Sequence, residues 1–171
     1  ACGAARRRAI VVLAMRAITD DLSAADRKIL ADVDEHGLHI VHVPEDGEGP
    51  CFSFTVGLWH HFEQPEVIVF GLPEHVVHEL LNAVADEADD GKRFGPGERH
   101  DGLLVGYPVR FVGVPREVQA EYFGTAQWAY EGADFPCVQL VWPDKQGRWP
   151  WDPSSRDGFR GLQPVLGRPD A

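Results

Sequence analysis

The stretch from Phe52 to Pro73 reads FSFTVGLWHHFEQPEVIVFGLP. Between two apolar runs it gathers Trp59, the adjacent His60 and His61, Glu63 and Glu66. A histidine beside a carboxylate is enough for general acid–base chemistry, because imidazole ordinarily titrates near neutral pH. His60, His61 and Glu66 are therefore the candidate catalytic groups, with Thr55 and Trp59 as candidate ligand contacts. A second cluster lies in VQLVWPDKQGRWPWD, Val138 to Asp152. Gln139 is a polar side chain in an apolar run and must find partners if buried. Trp142, Trp149 and Trp151 surround a turn that carries Asp144. Tryptophans with a few fixed polar groups suit a planar or cyclic ligand, so Gln139, Trp142, Asp144 and Trp151 join the candidate ligand site. The blander readings are a structural loop plugged by Trp59 and an aromatic lid over one end of the core.

Other spacings carry less. His36, His39 and His42 form H-x-x-H-x-x-H. His39 and His42 are an odd number apart in one strand, so they face opposite ways, and His36 ends the preceding helix. One of the three is still free to face a pocket. His75 and His78 are neighbours on a helix, where a solvated face is the simpler reading. Neither set supplies the closed ligand shell of a metal site, and no metal is assigned. The chain has no G-x-S-x-G and no phosphate-binding glycine loop. Its cysteines, Cys2, Cys51 and Cys137, make no C-x-x-C. Cys51 and Cys137 sit in apolar runs, as buried thiols do.

The elements that must position these groups follow from periodicity. Ser23 with Asp26 marks a helix start, and Gly37 its end. LHIVHV (38–43) and CFSFTVG (51–57) flank the turn PEDGEGP and predict a hairpin. GLWHHFEQPE is read as a long inter-strand loop. EVIVFGL (66–72) is apolar on both faces, as a central strand is. Pro73 opens a second helix with Val77, Leu80, Leu81, Val84 and Ala88 inward. LLVGYPVRFVGV (103–114) is a strand or a hairpin broken near Gly106. PREVQAEYFGTAQWAYEG predicts a third helix, FPCVQLVWP a last strand, and the chain from Asp152 an irregular tail. The order predicts an α+β fold: a mostly antiparallel curled sheet, tending to a half-barrel, with about three helices. Residues 1–14 are expected to be a disordered extension ahead of Met15, the chain's one methionine. A single domain then spans 15–166, and 167–171 form an irregular tail.

The 171 residues have 44% hydrophobic and 25% charged content with a formal net charge of −11. That composition suits one soluble domain with its own core. The acidity argues against nucleic acid and anionic membrane surfaces. The apolar run near the N-terminus is too short to span a bilayer, and the cysteine usage fits a cytoplasmic protein.

The segments HGLHIVHVPEDGEGPCFSFTVGLWHHFEQPEVIVFGLP, ELLN, GYPVRF and VQLVWPDKQGRWPWDP, in this order, resemble a bacterial family known as domain of unknown function 4262. The resemblance runs from about His36 to Leu166. Thr55, Gly57, Glu66, Asn82, Gln139, Trp142, Asp144 and Trp151 all fall on its pattern. It implies a family label and no activity, cofactor or catalytic role. A coarser similarity of element order, to flavin-reductase-like split barrels, implies a curled sheet with FMN near a neighbouring subunit. It is an analogy of fold alone.

Two functions remain in view. In the first, the GLWHH loop and the WPD…WPW turn meet in one Trp- and His-lined pocket that binds or modifies a small organic ligand. In the second, the exposed acidic stretches PEDGEGP and ADEADD serve a non-enzymatic interaction module. The expected partners are a small molecule and a second copy of the chain; the residues name no cofactor and do not choose between binding and catalysis.

Overall fold

The computed structural model describes residues 14–169. The extension expected over 1–14 lies outside the described residues except for Ala14. From Met15 the chain runs along the molecule: Arg16 donates its N–H to the Ala129 carbonyl at 2.7 Å and stacks 5.0 Å over Trp128.

Helix α1 spans Ala24–His36. The Ser23 hydroxyl takes the Asp26 N–H at 3.1 Å and donates to its carboxylate at 2.8 Å, closing the expected cap. Gly37 ends the helix at φ 82°, its N–H on the Val33 carbonyl. A Cβ there would lie 2.6 Å from the Phe62 ring, so conformation and contact both require glycine. The chain reverses into the hairpin of β1 (His39–Val43) and β2 (Phe52–Val56), with His39 opposite Val56 and His42 opposite Ser53.

A short helix, α2 (Leu58–Phe62), joins β2 to β3 (Glu66–Phe70). Next come α3 (Glu74–Asp89), the hairpin of β4 (Arg99–Leu104) and β5 (Tyr107–Gly113), then α4 (Arg116–Tyr122), α5 (Gly124–Ala129), β6 (Cys137–Val141) and α6 (Asp157–Leu162). One six-stranded sheet results, in the order β1-β2-β3-β6-β5-β4. β6 inserts between β3 and β5, parallel to β3; the other pairings are antiparallel.

Each face of the sheet holds its own core. α3 covers one through Val77, Leu80, Leu81 and Val84, packed on Val67, Val69, Phe111 and Leu140. α1, α5 and Tyr130 cover the other through Leu30, Val33 and Ala126, against Phe54, Ile68, Phe70 and Cys137. Every residue of β3 and β6 is buried, which explains why both read as apolar runs.

The α+β class stands, but its finer description needs correction. The sheet is not closed, with β1 and β4 as its outer strands among the described residues, and it is mixed, since one of its five pairings is parallel. The described residues hold six helices where about three were expected. The expected loop GLWHHFEQPE contains α2, the third helix breaks at Phe123 into α4 and α5, and the tail contains α6.

That tail is tied to the sheet by two glutamines. Gln139 donates to the Pro164 carbonyl at 2.7 Å and accepts the Leu166 N–H at 2.8 Å. Gln163 exchanges bonds with the backbone of Trp142, accepting its N–H at 2.9 Å and donating to its carbonyl at 2.8 Å. Gln139→Leu leaves the tail's two polar groups unpaired, so it should cost about 1–3 kcal/mol in urea unfolding. Amide exchange at Leu166 should rise more than in β3.

Candidate functional site

The reversal at Gly37 folds the last turns of α1 back over the start of β1. Asp32 and His39, seven positions apart, thereby meet: His39 Nδ1 lies 2.7 Å from Asp32 Oδ2. Lys28 Nζ binds the same carboxylate at 2.7 and 2.9 Å. Partial burial works against the Asp32 charge, but the hydrogen bonds and charges of Lys28 and His39 outweigh it and hold the carboxyl below its ordinary 3.8. An ionised carboxylate only accepts hydrogen bonds, so His39 Nδ1 carries the shared proton. Nε2 is then the ring atom left to act as acceptor or base when His39 is neutral.

These residues line a recess of about 350 Å³ with His36, Leu38, Ile40, His78 and Asn82. A second recess of about 400 Å³ shares His36, Leu38 and Asn82 and adds His61, Phe62, Glu35, Asp86 and Asp89. Together they make one groove between α1, β1, α2 and α3. Asn82 donates to the His78 carbonyl at 2.8 Å, fixing one wall. Among the described residues no group of three or more His, Cys, Asp or Glu is placed to hold a metal ion.

Of the candidate catalytic and ligand-contact residues read from the sequence, only His61 lines this groove. His60 borders a separate recess with Met15, Arg16, Leu30 and Asp34, and its backbone N–H donates to the Tyr130 hydroxyl at 3.2 Å. Trp59 packs against the core beneath α1 and α5.

Glu66 and Thr55 are fully buried. The Glu66 carboxylate accepts from the Thr55 hydroxyl at 2.6 Å, from the N–H groups of Gly57 at 3.0 Å and Trp59 at 3.1 Å, and from the Tyr130 hydroxyl. Both hydroxyls are oriented from behind: Val67 N–H donates to Thr55 and His60 N–H to Tyr130. Their protons are thus left for Glu66, the arrangement an anion needs. Burial pushes the Glu66 carboxyl above its ordinary 4.5, and the bonds from Thr55, Tyr130, Trp59 and Gly57 pull the other way. Burial and the neighbouring Glu66 charge likewise push the Tyr130 hydroxyl up.

The second sequence cluster lies elsewhere. β3 and β6 run parallel, with Glu66 opposite Cys137 where both begin. α2 sits at that end. Trp142 follows the other end, its indole N–H on the Phe70 carbonyl at 2.9 Å. Four strand steps put the two ends about 13 Å apart. GLWHH and WPD…WPW, expected to meet in one pocket, thus lie at opposite ends of this strand pair. Asp144 instead closes its own turn, taking the N–H groups of Gln146 and Arg148 at 2.9 Å each and Arg148 Nε at 2.8 Å. Trp149 and Trp151 stack on each other at 5.4 Å.

Of the other groove residues, His36, His39 and His78 read from the sequence as ordinary positions, with one of His36, His39 and His42 free to face a pocket; Asn82 falls on the family pattern, and Asp32 is not among the residues singled out. His39 and His42 face opposite sides of β1, as their odd spacing requires. That spacing leaves out a partner from the preceding helix, and the usable signal was Asp32 and His39 placed either side of a glycine reversal.

The Glu66 bonds generate a prediction. Thr55→Val and Tyr130→Phe each remove a donor to a buried carboxylate and should each cost about 1.5–3 kcal/mol in urea unfolding. Glu66 holds its proton more tightly folded than unfolded, so its contribution is complete below pH 4.5 and declines as the pH rises through the folded value. Tyr130→Phe moves that folded value higher still. Its deficit relative to the parent should therefore widen with rising pH across this interval and narrow in acid.

No helix among the described residues is long and apolar enough to cross a membrane. No curated protein and no solved structure matches the chain. A family model described as a domain of unknown function, DUF4262, matches residues 32–156, which include α1 from Asp32, the whole sheet and the Asp144 turn. The chain belongs to the DUF4262 family.

Proposed function

We propose that this protein binds a small polar organic ligand in the histidine-lined groove, with His39 as its hydrogen-bond acceptor or general base. The observation that carries the reading is the 2.7 Å His39–Asp32 contact at the wall of a recess of about 350 Å³. A carboxylate that fixes one imidazole nitrogen prepares the other for a proton on a ligand or a water molecule. His36, His61 and His78 add polar groups along the same groove, and Leu38, Ile40 and Phe62 supply apolar wall. That mixture is what an orienting small-molecule site requires. Among the described residues no serine or cysteine lines the groove, so the chemistry supported is proton transfer rather than covalent catalysis by those residues.

Ring-nitrogen NMR of His39 should find Nδ1 protonated in the neutral ring. Asp32→Asn should abolish that bias and cost at most about 1 kcal/mol, because the pair is partly solvated. The Asp32 contribution is complete above pH 3.8 and is lost as the pH falls through its lowered folded value, so parent and variant should converge in strong acid.

A thermal-shift panel of small acids, amino acids and nucleosides tests binding. A compound that raises Tm in the parent should fail to do so in Asp32→Asn and His39→Gln. Equal stabilisation of parent and variants would move the ligand out of the groove. A silent panel would return the acidic interaction module to first place.

A further inference from the structure

A second cleft, of about 550 Å³, opens beside the loop that joins β1 to β2. It lies at the end of β3 remote from α2. Its floor is aromatic: the rings of Phe52, Phe70 and Tyr122 lie 5.4, 5.4 and 5.5 Å apart, with Tyr122 edge-on to both phenylalanines. Its rim is acidic, formed by Asp46, Glu48 and Glu121, and an adjoining recess shares Asp46 and Glu48 and adds Glu45. Among the described residues, no lysine, arginine or histidine lines either recess. None of the ion pairs among the described residues involves these four acids. The loop is fixed by its own sequence, since Asp46 Oδ1 takes the N–H groups of Glu48 at 2.8 Å and Gly49 at 3.0 Å.

Three features combine here: concavity of ligand size, aromatic rings at the floor, and one sign of charge at the rim with no counter-ion among the described residues. An anion is repelled from such a place. A neutral apolar molecule gains the floor and leaves the charges unrelieved. A bare metal ion gains nothing from the rings, and the acids form no group placed to coordinate one. We infer that this cleft binds a small organic cation, a protonated amine carried on an aromatic or alkyl body. The body lies against Phe52 and Tyr122, backed by the buried Phe70, where ring faces attract positive charge. The ammonium group meets Glu48 and Glu121. Burial, with the charge and hydrogen bond of Glu121, pushes the Tyr122 hydroxyl up, so that ring stays neutral. This site is independent of the histidine groove.

Benzylammonium is the probe, with benzyl alcohol and benzoate as matched neutral and anionic controls, followed by amide NMR on the full chain. Benzylammonium should shift the amides of Glu48, Gly49, Cys51 and Tyr122 saturably, and benzyl alcohol should bind at least about tenfold more weakly. The double variant Glu48→Gln, Glu121→Gln changes exposed positions only. It should keep the parent spectrum elsewhere and lose about tenfold in affinity. Tyr122→Leu keeps an apolar floor and the acidic rim, and should narrow the preference for ammonium over alcohol without removing it. His39→Gln should bind the probe as the parent does. Equal affinity for alcohol and ammonium, an unweakened double variant, or shifts confined to the groove around His39 would each overturn the inference.

Discussion

The constraint on which much of the molecule depends is the burial of one carboxylate. Glu66 sits at the start of the central strand β3 with no exposure. A charge in that position is tolerated only where several donors replace water. The donors come from three other places: Thr55 on β2, the backbone at the start of α2, and Tyr130 just after α5. Satisfying the anion therefore fixes the β2–β3 connection as a helix and locks α5 over the same face of the sheet. It also sets the position of α2, whose Phe62 packs where any side chain at Gly37 would stand. That contact holds the reversal between α1 and β1, and through it the approach of Asp32 to His39. A residue that faces no ligand thus shapes the groove from beneath.

The same topology separates two chemistries. The β3–β6 pair runs through the middle of the sheet in one direction, so recesses at its two ends share no side chains. At the α2 end, histidines and carboxylates alternate with aliphatic wall. At the Phe70 end, aromatic rings meet uncompensated acid. The net charge of −11 is consequently unevenly useful. In the groove, Asp32 pairs with both Lys28 and His39. Around the β1–β2 loop they have no such partners and set a local field that favours a cation.

Periodicity and punctuation read the large elements well. The Ser23 cap, the Gly37 stop, the β1–β2 hairpin, the apolar strand at Glu66 and the inward stripe of α3 all follow from local rules, and all are present. What escaped was non-local. Nothing in FPCVQLVWP states that β6 inserts between β3 and β5, or that it runs parallel to one of them, because strand order is decided by which faces must be covered. GLWHHF was too short and too aromatic to read as a helix. It becomes one because Glu66, four residues past it, accepts its first N–H groups. The break at Phe123 is likewise tertiary: that ring is fully buried against Phe54 and ends α4 to do so.

The site was less legible for a related reason. Residue type marks the ability to do chemistry, whereas function needs unspent capacity. A carboxylate offers about four acceptor positions, and Glu66 receives four donors from within the protein, Gly57, Trp59 and Tyr130 at Oε1 and Thr55 at Oε2. Gln139 spends both ends of its amide on the tail, and Asp144 spends both oxygens on its own turn. These were the conspicuous polar residues, and conspicuousness came from sitting among apolar neighbours, where internal partners are obligatory. His39 is the reverse case. It looked ordinary on an edge strand, yet Asp32 engages only its Nδ1. A nitrogen held ready beside a recess is worth more to a ligand than a saturated carboxylate in the core, and it becomes visible only once the chain has turned at Gly37.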